Sequence, residues 1–77
     1  MRFLETEIPE VIIIEPTIFE DDRGYFMEIH HRDKFADAGI MLPFVQDNHS
    51  HSTQGTIRGL HFQNPSPQGK LVRAVNG

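Results

Sequence analysis

The chain has 77 residues, 11 acidic side chains against 7 lysines and arginines, a formal net charge of −4 and no cysteine. That length allows one small domain near the lower limit for a self-sufficient core, and the lack of cysteine excludes both a disulfide framework and a thiolate metal centre. The charge is divided, with −6 over residues 1–37 and +2 over residues 38–77, which excludes the dense basic face of a nucleic-acid binder but leaves room for a pocket holding one or two phosphates.

In chain order, MRFLETEIPE is too charged for a secretory leader. The longest apolar run, residues 11–14, is far short of the roughly 20 residues a spanning helix requires. A soluble cytoplasmic protein without a membrane partner is expected. Residues 11–15 form a β-branched run closed by Pro16, which reads as a buried strand with a hard stop, and residues 17–19 as its edge extension. The polar sequence EDDRG is a turn signal, and residues 25–30 alternate after it, so a hairpin is predicted with Arg23 and Glu28 near its turn. A short helix is predicted over residues 33–38, capped by Asp33 and ended by Gly39. Further strands are predicted over residues 44–50, 56–63 and 70–75, separated by a turn at 52–55 and a loop fixed by Pro65 and Pro67. Five or so short strands with one short helix suggest an antiparallel sandwich or barrel. The closing KLVRAVNG reads as a strand that begins and stops, so residues 1–77 are expected to be the N-terminal segment of a single longer domain.

The chemistry concentrates in residues 46–70, QDNHSHSTQGTIRGLHFQNPSPQGK, which hold three of the five histidines and a single acid, Asp47. His61 is the first candidate, because an imidazole is the side chain best suited to pass protons at neutral pH. The alternative is a half-buried strand histidine bonded to a neighbour. Arg58 and Lys70 follow, since a guanidinium fork fits phosphate oxygens and an ammonium stabilises a developing oxyanion. Each taken singly also fits a surface charge. Strict alternation puts Arg58 and His61 on opposite faces of one strand, and Gly59 between them is the residue that permits a bulge. His49 and His51, two residues apart, could share a metal with His61, yet the carboxylate that would strengthen such a site is replaced by Thr53 and Gln54. Gly69-Lys70 lacks the preceding glycine of a phosphate loop.

Three stretches, FEDDRGYFMEIHHRDKFADAG, FVQDNHSHSTQGTIRGLHFQ and PQGKLVRAVNG, resemble in order and spacing the N-terminal part of the dTDP-4-dehydrorhamnose 3,5-epimerases, jelly-roll enzymes of the cupin type. The resemblance implies an all-β antiparallel jelly-roll sandwich and epimerisation of a dTDP-4-keto-6-deoxy sugar at carbons 3 and 5 for rhamnose synthesis. It implies that His61 is the base and Lys70 the cation near the carbon-4 oxygen. Arg23, Glu28, Gln46, Asp47, Asn48 and Arg58 would contact the nucleotide diphosphate or sugar. No metal or organic cofactor is implied, and the family is homodimeric with exchanged N-terminal strands. The tyrosine that returns the proton and the aspartate that orients the histidine lie, in the family, beyond the length present here, and Tyr25 does not match that tyrosine. The alternatives are a nucleotide-sugar-binding cupin fragment without turnover and a metal-dependent cupin using His49, His51 and His61.

Overall fold

Proline and glycine at positions 9, 16, 24 and 39 divide the first 41 residues into short segments, and no strand exceeds four residues. The computed structural model describes all 77 residues as two compact units, Met1–Met41 and Leu42–Gly77. The first unit holds β1 (Arg2–Glu5), β2 (Ile12–Glu15), β3 (Ile18–Asp21), β4 (Gly24–Met27) and α1 (Arg32–Asp37). Strands β1 and β2 pair antiparallel with Phe3 opposite Ile14 and Leu4 opposite Ile13, and β3 pairs β4 with Phe19 opposite Phe26. The secondary structure is thus all-β with one short helix, in two separate two-stranded sheets.

Strand β1 is an element that the charged N-terminal sequence did not announce. It forms because the connection to β2 is tied by one side chain. The Thr6 hydroxyl lies 2.7 Å from the Val11 carbonyl oxygen and 2.8 Å from that of Ile8, and accepts from the Ile8 amide at 3.2 Å, as threonine does where it substitutes for backbone partners in a turn. Pro16 then ends β2, having no N–H to donate. Residues 18 and 19, expected as an edge extension of β2, instead pair in β3 with β4.

The core of this unit is a single aromatic side chain. Phe35 on α1 is 1% exposed, and its ring meets Phe3 edge-on at 5.4 Å and His30 at 4.6 Å. Phe3 shares its sheet face with Ile12 and Ile14, all three half-buried. The helix is fixed at both ends. His31 is the N-cap, with Nδ1 accepting from the Lys34 amide at 3.3 Å, so Asp33, expected as the cap, lies in the first turn, where a negative charge complements the helix dipole. At the other end the Gly39 amide bonds the Ala36 carbonyl at 2.9 Å and the Ile40 amide that of Phe35 at 2.8 Å. Gly39 holds φ +95°, the left-handed angle that this termination requires and that glycine reaches without strain.

The second unit contains no helix or strand, and each of its residues is exposed. The strands expected over residues 44–50, 56–63 and 70–75, and with them a sheet of five strands within this chain, are not formed. Alternation marks a segment able to bury one face. A strand exists only when its N–H and C=O groups find a neighbour. The tight turn supplies that neighbour to β3 and β4 even with Phe19 and Phe26 exposed, whereas the segments holding Ile57, 95% exposed, and Phe62, 87% exposed, pair with no strand.

Phe35→Ala is expected to destabilise the first unit by about 3 kcal/mol or more, which abolishes its cooperative urea transition. Ile57→Ala should change the transition by less than about 0.5 kcal/mol. Circular dichroism of the two variants compares them directly.

Candidate functional site

Arg23 and Glu28 belong to the first unit, and Gln46, Asp47, Asn48, Arg58, His61 and Lys70 to the second. Arg23 sits in the two-residue turn joining β3 to β4. Its amide donates to Asp21 Oδ1 at 2.8 Å and its guanidinium to Asp21 Oδ2 at 2.7 Å. One short aspartate thereby closes the turn and fixes the base of the arginine, while the side chain stays 90% exposed. The guanidinium hydrogen bond, followed by the Arg23 amide, holds the Asp21 carboxyl below the usual carboxylate range.

Glu28 follows β4 and is half-buried. Lys34 of α1 reaches back to it, with Nζ 2.7 Å from Oε1. This hydrogen bond is the main reason that the Glu28 carboxyl is lowered from its ordinary value, opposed by partial burial and aided by the nearby positive charge of Lys34. Glu28 is therefore held ionised and oriented by the helix. A carboxylate in that state accepts hydrogen bonds from hydroxyl or ring N–H groups and does not supply a proton.

In the second unit the backbone departs from a pleated strand at Gly59, whose φ of +138° belongs to a region that L side chains avoid. The break falls between Arg58 and His61, where alternation alone would send the two side chains to opposite faces. A turn precedes it: the Thr56 amide donates to the Thr53 carbonyl at 3.2 Å, and the two threonine hydroxyls are 3.3 Å apart. Across this turn Arg58 Nε donates to Ser52 Oγ at 2.7 Å. His61, Lys70 and the Gln46-Asp47-Asn48 triplet lie on exposed, non-repetitive backbone. Ser52 is the polar partner that sequence reading missed, and its spacing of six residues from Arg58 across a glycine turn is the signal that could have found it.

No group of three or more histidine, aspartate or glutamate side chains is placed to hold a metal ion. The metal site considered for His49, His51 and His61 is therefore not assembled, because two histidines two residues apart come together with a third only if a neighbouring strand delivers it. No helix is long and apolar enough to cross a membrane.

Comparison with known proteins adds to this geometry. A sequence model described as dTDP-4-dehydrorhamnose 3,5-epimerase matches residues 5–77. A dTDP-4-dehydrorhamnose 3,5-epimerase of Shigella flexneri is 54% identical over 79 aligned residues, covering 100% of this chain and 44% of the relative. One from Methanothermobacter thermautotrophicus is 51% identical over 76 residues, covering 99% of this chain and 41% of the relative. A dTDP-4-dehydrorhamnose 3-epimerase of Streptomyces niveus is 40% identical over 79 residues, covering 100% and 38% respectively. The chain thus spans less than half the length of these relatives.

The lowered Glu28 carboxyl makes a signed prediction. A depressed folded-state value contributes stability that is present above the usual carboxylate range near pH 4 and is lost as the pH falls through the lower, folded value. Carbon-detected NMR titration should find the Glu28 midpoint below that of the urea-unfolded chain, and Lys34→Met should bring the two together.

Proposed function

The chain belongs to the dTDP-4-dehydrorhamnose 3,5-epimerase family, and from that premise we propose that the protein carrying it epimerises dTDP-4-dehydro-6-deoxy-D-glucose at carbons 3 and 5 to dTDP-4-dehydro-L-rhamnose. The observation that carries this reading is the family match over residues 5–77, a span that contains the RGLHFQ and QGKLVR segments in which His61 and Lys70 lie. His61 is the base. It removes the proton next to the ketone, and the electron pair moves onto the carbon-4 oxygen to give an enolate. The Lys70 ammonium stabilises that oxygen, because a preorganised cation aimed at developing charge lowers the barrier. A proton returned from the opposite face completes the inversion at each carbon.

Arg23 and Arg58 bind the diphosphate, to which a planar guanidinium offers paired donors. Glu28, ionised by Lys34, and the Gln46-Asp47-Asn48 triplet accept and donate to the sugar and nucleotide. The all-β first unit is the beginning of a cupin-type jelly roll, in which residues 44–50, 56–63 and 70–75 become strands once paired within the complete domain. The apolar surface of the β3–β4 hairpin, where Phe19 and Phe26 are exposed, supports a homodimer with exchanged N-terminal strands. The protein works in the cytoplasm.

A second reading is favoured by the Streptomyces niveus relative, whose name states a 3-epimerase. In this version proton abstraction stops after carbon 3.

The test is exchange in heavy water. The intact protein incubated with the 4-keto-6-deoxy sugar nucleotide should incorporate deuterium at carbons 3 and 5, and His61→Asn should slow incorporation by about 100-fold or more. Incorporation at carbon 3 alone selects the single epimerase, and incorporation unaffected by His61→Asn overturns the assignment of the base.

A further inference from the structure

In the second unit, Arg58 of the proposed site donates a hydrogen bond 2.7 Å long from Nε to Oγ of Ser52, a side chain outside that site. We propose that Ser52 is a positioning residue that aims the Arg58 guanidinium at the diphosphate of the sugar nucleotide. This rests on the reading of Arg58 as a diphosphate ligand given above.

The geometry favours that role for two reasons. A guanidinium has five N–H donors in a fixed plane. With Nε–H engaged by Ser52, the two terminal nitrogens keep all their donors and present them end-on, the arrangement that grips two phosphate oxygens at once. Second, the pair is held by the turn between them. The Thr56 amide bonds the Thr53 carbonyl, the Thr53 and Thr56 hydroxyls meet, and Gly55 takes φ +88°. The closure brings residues six positions apart into contact without a sheet, and an arginine held in one orientation before binding loses less freedom when the ligand arrives.

The test is a double-mutant cycle read by calorimetric titration of the intact protein with dTDP. Ser52→Ala should raise Kd about fivefold, Ser52→Thr should restore it, and kcat at saturating substrate should be retained in both. In an Arg58→Ala background, Ser52→Ala should have no further effect, since the serine acts only through the arginine. A merely structural serine would weaken binding equally in both backgrounds, and that result overturns the proposal while leaving Arg58 as a ligand. If Arg58→Ala itself leaves dTDP affinity unchanged, the reading of Arg58 fails and the role of Ser52 with it.

Discussion

The order of the first unit depends on burying one ring. Phe35 is the only fully buried side chain, and it brings β1, through Phe3, against the residues after β4, through His30, and α1 on which it sits. A six-residue helix is far too short to persist in water by its own propensity, and a lone two-stranded hairpin is marginal. The β1–β2 hairpin and α1 support each other through the contact of Phe3 with Phe35. The capping bonds of His31 and Gly39 add direction to this packing, since they set where α1 starts and stops and therefore which face carries Phe35.

The second unit has the opposite balance. It carries most of the chemistry and none of the scaffold. His61 and Lys70 lie in water, where a charge four ångströms away is worth about 1 kcal/mol, against several times that in a site from which water is excluded. The proposed enolate chemistry draws its rate from such exclusion. The residues of the second unit therefore specify what the reaction uses, while the pairing that makes them effective is a long-range property. Within this unit, preorganisation is visible only at Arg58, where a glycine turn and Ser52 achieve it locally.

The sequence was legible where a local rule governs. Pro16 stops β2, the aspartates and Gly24 flank the β3–β4 turn, and Gly39 ends α1, because each acts on its own backbone angles. The cap was misplaced, since imidazole nitrogen is an uncommon capping acceptor and Asp33 is a common one. Strand β1 was overlooked because Arg2-Phe3-Leu4-Glu5 gains its β character from Ile12–Glu15 opposite it and from Phe35, and neither is visible from the segment alone. The reverse error occurred after residue 43, where alternating sequences promised strands whose partners the chain does not supply. Of the candidate site, residue identities were readable from RGLHFQ and QGKLVR. Their partners were not: the Lys34 clasp on Glu28 and the Ser52 bond to Arg58 depend on a helix and a turn folding back by six residues.

The most direct test of this account is amide hydrogen exchange resolved along the 77-residue chain. Slow exchange should be confined to the paired amides of β1 with β2 and β3 with β4 and to the amides of Phe35, Ala38, Gly39 and Ile40, with exchange over residues 42–77, apart from the Thr56 amide of the turn, close to that of unstructured peptide. Protection over residues 56–63 comparable to that of β2 would contradict it, because it would mean that the segment carrying Arg58 and His61 finds a strand partner within this chain.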